Sequence, residues 1–135
     1  MDTQERKNWN QALIVDDNAP NQNLLRRIAQ GAGYEVVTCS SFEEFKQAYA
    51  SARPTVIIAD LILGEEDCEP ILDFLAKVHC KVPLILVTGH VAGFLDVMET
   101  RARAAGLSVV AKVEKRKSLF QIEDRLLELR IPEVA

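Results

Sequence analysis

Four short, nearly unbroken apolar runs recur along the chain, and each is closed by a polar side chain. Ala12–Val15 precedes Asp16 and Asp17, Val56–Ala59 precedes Asp60, Leu84–Val87 precedes Thr88, and Leu107–Ala111 precedes Lys112. Runs of this length without polar alternation are strands buried on both faces, the signature of a parallel sheet covered by helices on each side. The intervening segments carry helix signals. Asn18-Ala19-Pro20 opens one helix, with proline in the first turn, and Gly31-Ala32-Gly33 stops it after the apolar positions Leu24, Leu25, Ile28 and Ala29. A strand over Tyr34–Thr38 is followed by Ser41-Phe42-Glu43-Glu44, a capping box for a second helix that Arg53-Pro54 breaks.

After Asp60 the sequence predicts a loop over Leu61–Glu66, then a helix from about Asp67 with Pro70 in its first turn and Ile71, Leu72, Phe74, Leu75 and Val78 buried. Val82-Pro83 leads into the fourth strand. A fourth helix runs from about Ala92 to Ala104, the fifth strand ends at Lys112, and a last helix covers roughly Lys117 to Arg130. Five strands alternating with five helices specify one α/β domain: a flavodoxin-like (βα)5 three-layer sandwich whose parallel sheet has the order 2-1-3-4-5. We expect a polar tail over residues 1–10, the domain over 11–130, and a tail or linker start over 131–135. In that strand order the first and third strands are neighbours, so Asp16, Asp17 and Asp60 meet at the carboxyl edge, where open α/β sheets bind ligands.

Composition narrows the function classes. A chain of 135 residues is one domain's worth, and a net charge of -4 gives no electrostatic footprint for nucleic acid. No apolar stretch approaches the roughly 20 residues of a membrane span, and the first residues lack a signal peptide's apolar stretch. Cys39, Cys68 and Cys80 are odd in number and without metal-type spacing, which fits reduced thiols in a cytoplasmic protein.

Each polar residue has an ordinary reading by itself. Asp16 and Asp17 suit the positive end of the next helix, Thr88 suits a turn, and Lys112 suits a solvated strand end. As an ordered set on the correct elements they resemble something specific. From about Gln11 to Arg130 the chain is similar to the receiver domain of two-component response regulators. The acidic pair matches Asp16-Asp17, the phosphorylated aspartate Asp60, the hydroxyl residue Thr88 and the lysine Lys112.

The resemblance implies that Asp60 accepts a phosphoryl group from a sensor histidine kinase or phosphotransfer protein. It also implies Mg²⁺ or Mn²⁺ held by Asp16, Asp17, Asp60 and the carbonyl of Ile62, and phosphoryl contacts from Thr88 and Lys112. The residue types make physical sense. Crowded carboxylates repel, a hard divalent cation with oxygen ligands relieves them, and metal and ammonium together offset phosphoryl charge. The family's output face, helix 4, strand 5 and helix 5, becomes the expected contact surface for a homodimer or an output domain. The last helix, with Leu119, Ile122, Leu126 and Leu129 plus Phe120 and Leu127, has apolar surface to spare for it.

Three positions depart from the family pattern. Val113 stands where proline usually follows the lysine, Val109 stands where an aromatic switch residue is usual, and Ile62-Leu63-Gly64-Glu65-Glu66-Asp67 lacks proline. His90, two residues past Thr88, suits an idle surface loop; with Ile62 it also suits a role in tuning water attack on the acyl phosphate. A flavin-binding reading is disfavoured because Asp16-Asp17-Asn18-Ala19-Pro20 repels phosphate. A phosphatase of the haloacid-dehalogenase type lacks its Asp-x-Asp. The remaining alternative is a receiver-like interaction module that is not phosphorylated.

Overall fold

The computed structural model describes residues 9–63, 66–89, 92–114 and 120–132. Its main sheet has five parallel strands: β1 (Gln11–Val15), β2 (Glu35–Cys39), β3 (Val56–Asp60), β6 (Leu84–Thr88) and β7 (Val109–Glu114). Their spatial order is β2-β1-β3-β6-β7, the expected order once a small hairpin is counted. That hairpin, β4 (Ile62–Leu63) with β5 (Glu66–Asp67), occupies the span expected to be a loop. Among the described residues there are five helices: α1 (Ala19–Gly31), α2 (Phe42–Ser51), α3 (Glu69–Lys77), α4 (Ala92–Ala104) and α5 (Phe120–Leu129).

Alternation along the strands divides the core into two layers. Leu13, Val15, Ile57, Ala59, Leu84 and Leu86 face α2, α3 and α4, where Phe45, Leu72, Leu75, Leu95 and Met98 meet them. Ala12, Ile14, Val56, Ile58, Ile85 and Val87 face α1 and α5, against Leu25, Ala29, Ile122 and Leu126. Every residue of β3 and β6 is buried, which is why these segments read as continuous apolar runs. The three cysteines are buried and free, and burial pushes the thiols of Cys39 and Cys68 up to about 12.

Local chemistry sets the helix ends. The Asn18 side chain accepts from the Asn21 N–H at 3.0 Å and caps α1, with Pro20 in its first turn. Ser41 Oγ caps α2 by accepting from the Glu44 N–H. The return bond from the Glu44 carboxylate goes to the Ser40 N–H at 2.8 Å, one residue earlier than an ideal capping box. Past α1 the chain turns into β2 through Gly33, whose φ of +95° excludes a β-carbon; the Arg130 side chain also crowds that spot.

Several boundaries move from their sequence-based positions. α3 starts at Glu69 rather than Asp67, because the Asp67 carboxylate accepts from the Glu69 N–H and ends the hairpin instead. β7 starts at Val109 and runs on to Glu114, two residues past Lys112. Within it one extra residue, Val110, is accommodated: Leu84 pairs with Val109, but Ile85 pairs with Ala111. On α5 Ile122 and Leu126 are buried, whereas Phe120 and Leu127 are exposed; Leu119 lies outside the described residues. Leu24, expected on the apolar face of α1, is also exposed.

The two chain ends described here are joined. Asn10, itself buried, donates to the Ile131 carbonyl at 2.7 Å and accepts from the Ile131 N–H at 2.6 Å. Nearby, the Tyr34 hydroxyl donates to the Leu126 carbonyl at 2.6 Å.

Phe45 is the largest side chain with no exposure, and its ring packs on Tyr49 and Phe74 at 6.1 and 6.3 Å between centroids. Phe45→Ala is expected to cost about 3–5 kcal/mol through lost transfer energy and a cavity. Urea unfolding should show the midpoint falling with the slope unchanged.

Candidate functional site

The pairing of β1 with β3, Val15 beside Ala59, brings the residues that end these strands side by side. One carboxylate oxygen from each of Asp16, Asp17 and Asp60 lies within 4.8 Å of the other two. Asp16 and Asp60 are buried and Asp17 is exposed. The loop carrying the acidic pair is pinned from several directions. The Asp16 N–H donates to the Cys39 carbonyl at 3.0 Å, and Asp16 Oδ1 accepts from the Asn18 N–H at 2.9 Å. Gln22 Nε2 reaches from α1 to the carbonyls of Asp16 and Cys39 at 2.9 and 3.1 Å. Nothing in the sequence singles out Gln22; its role depends on the approach of β2, a long-range fact.

Asp60 ends β3, and its Oδ1 accepts from the Ile62 N–H at 3.2 Å, so the peptide that opens the hairpin also orients the carboxylate. The Leu61 N–H donates to the Val87 carbonyl, which stitches this turn to β6 one residue before Thr88. Thr88 is buried at the end of β6, beside the strand that carries Asp60. A cleft of about 380 Å³ opens next to Asp17, between Ser41, Phe42, Leu63 and Asp67.

Lys112 is not brought into this cluster. Its Nζ donates to Asp96 Oδ1 at 2.6 Å and to Glu99 Oε1 at 2.7 Å, both on α4, and its side chain is 40% exposed. Those bonds, the one to Asp96 first, raise the ammonium's pKa above its ordinary value; Lys112 and then Arg103 hold the Glu99 carboxyl below the usual range. The cause of the redirection is the extra residue at Val110. Without it, position 112 would pair with Val87 and share the side of the sheet that Ile58 and Asp60 follow. With it, Lys112 pairs with Leu86, whose side chain faces α4. His90 lies outside the described residues.

The donor set fits a hard divalent cation. Three carboxylate oxygens converge with no soft ligand among them, and such ions take carboxylates plus water and phosphate oxygens. At an effective dielectric near 20, two such charges up to 4.8 Å apart repel by about 3 kcal/mol. A divalent cation bound there would offset that repulsion.

Comparison with known proteins agrees with this geometry. Residues 12–123 match the response regulator receiver domain family. Over 118 residues the chain is 26% identical to the nitrogen assimilation regulatory protein NtrX of Azorhizobium caulinodans, covering 86% of this chain and 26% of that one. Over 120 residues it is 28% identical to the transcriptional regulatory protein GlrR of Escherichia coli, covering 89% and 27% respectively. The chain thus spans about a quarter of the length of these curated relatives. Among solved structures, a response regulator from Colwellia psychrerythraea superposes with a TM-score of 0.77 at 27% identity, covering 89% of this chain and 95% of that one. The receiver domain of NtrX from Brucella abortus has the same fold, with a TM-score of 0.70 at 24% identity over 87% and 98% of the two chains.

Asp60→Asn keeps the acceptor for the Ile62 N–H and removes one charge from the trio. It is expected to shrink the stabilisation that Mg²⁺ gives the wild type, by removing one hard oxygen ligand's charge. Thermal unfolding with and without Mg²⁺ checks this; an undiminished Mg²⁺ shift in the variant would contradict it.

Proposed function

The chain belongs to the response regulator receiver domain family, and on that footing we propose that it carries a phosphoryl group on Asp60. The single observation that supports this most is the convergence of the Asp60, Asp16 and Asp17 oxygens within 4.8 Å beside buried Thr88. A carboxylate oxygen of Asp60 attacks the phosphorus of a phosphohistidine on a sensor kinase or phosphotransfer protein. The P–N bond breaks, its electron pair returns to the imidazole nitrogen, and an acyl phosphate forms. The Ile62 N–H limits rotation of the attacking carboxylate. Asp16, Asp17, Asp60 and the Ile62 carbonyl hold Mg²⁺ or Mn²⁺, which supplies charge neutralisation for the transferring group. The Thr88 hydroxyl donates to a phosphoryl oxygen.

The cationic contact we assign to Lys115 instead of Lys112. Position 113 packs on the side of the sheet that Ile58 and Asp60 share, and Lys115 is the first cationic residue after it in the sequence. Lys115 itself lies outside the described residues. Its signal in the sequence is the cationic stretch Lys115-Arg116-Lys117 directly after the strand. To Ile62 and His90 we assign the tuning of acyl-phosphate hydrolysis, a role taken from the sequence.

In this reading the protein works in the cytoplasm. Among the described residues, no helix is long and apolar enough to cross a membrane. The output surface is α4, β7 and α5, offered to a second copy or to an output domain. The regulatory names of the relatives make a transcriptional module the first class of output partner to seek.

Acetyl phosphate with Mg²⁺, followed by intact-mass measurement, tests the assignment. The wild type is expected to gain one phosphoryl group and Asp60→Asn none. No gain in the wild type would favour a receiver-like interaction module that is not phosphorylated. Lys115→Met should slow incorporation by on the order of a hundredfold, the usual cost of losing one charge-stabilising donor. Lys112→Met should incorporate at the wild-type rate; the opposite ranking would return the role to Lys112.

A further inference from the structure

Helix α4 carries several ion pairs to its neighbours. Leu95, Met98 and Ala102 are its buried apolar positions among those described. Around them the helix is tied to both neighbours by charge. Toward β7, the Lys112 ammonium bonds Asp96 and Glu99, and Arg103 Nη2 bonds both the Val109 carbonyl at 2.9 Å and Glu99 Oε2 at 3.1 Å. Toward α3, Arg101 pairs with Glu69 at 2.7 Å and with Asp73 at 3.6 Å. Both links to β7 converge on the bulge. Arg103 takes the carbonyl just before Val110, and the extra residue is what aims Lys112 at α4. Glu99 accepts from both cations, one on each carboxylate oxygen, so the four side chains form one network.

We propose that Lys112 is a positioning residue, the bolt of an ionic latch that holds α4 against β7. The helix begins four residues after Thr88, so the latch holds the element that follows the end of β6 in the chain. A lone exposed ion pair adds little, but here one ammonium serves two carboxylates and a guanidinium fixes the second of them, which is the case in which networks count. The latch acts in the unmodified protein. Its truth does not depend on whether Asp60 is phosphorylated.

Amide hydrogen exchange on the full chain, without phosphodonor, tests it. Lys112→Met is expected to speed exchange of peptides within residues 95–104 by roughly fivefold at low ionic strength, leaving those of β1 and α1 unchanged. Lys112→Arg should restore the protection. Raising the salt concentration should bring the wild type toward the Lys112→Met rate while leaving that variant where it is. Glu99→Gln, which keeps its size and loses its charge, should mimic Lys112→Met. Wild-type protection of α4 in both variants would overturn the latch. So would faster exchange spread evenly over the domain, which would make Lys112 an ordinary stabilising side chain.

Discussion

Holding like charges together is the demand that the rest of the molecule answers. Three carboxylate oxygens lie within 4.8 Å, and two of the residues that bear them are buried. They meet because β1 and β3 are hydrogen-bonded neighbours, and β1 and β3 are neighbours because both are apolar along their length and fill the middle of a sheet clad on two sides. Burial of the strands stabilises the fold and sets where the carboxylates stand; the convergence of like charges is what suits the site to a hard cation.

The parts of this arrangement that were legible in the sequence depend on local or periodic signals. Continuous apolar runs gave away the central strands, and the proline after Asn18 and the serine before Phe42 gave away two helix starts. The order of the sheet followed from the alternation of elements, and with it the meeting of Asp16, Asp17 and Asp60. Lys112 resisted the same reasoning for a definite cause. Counting residues along a strand predicts which face a side chain takes only if no residue is inserted, and Val110 is inserted. A bulge in a valine-rich run leaves no composition signal, so its consequence for Lys112 is visible only in the register. The β4–β5 hairpin was missed because Ile62 and Leu63 look like loop residues until Glu66 and Asp67 fold back on them.

Over an apolar core on both faces, α1 and α4 are held to the sheet in different ways. α1 is joined to the sheet by apolar packing and by Gln22, which anchors the loop of the acidic pair. α4 sits under a network of charged side chains reaching from α3 and β7. Apolar packing depends on shape and changes little with ionic surroundings; exposed charge pairs respond to salt and to any charged partner. The side of the molecule nearest Thr88 is thus the one whose cohesion the environment can adjust most readily.

The clasp between Asn10 and Ile131 has an architectural consequence of its own. Because both main-chain groups of residue 131 are taken by one buried side chain at residue 10, the path into the domain and the path out of it run side by side. A fold closed in this way resembles a plug with two adjacent wires. It can be spliced into a loop of another protein, or relinked end to end and opened elsewhere, without prising its layers apart.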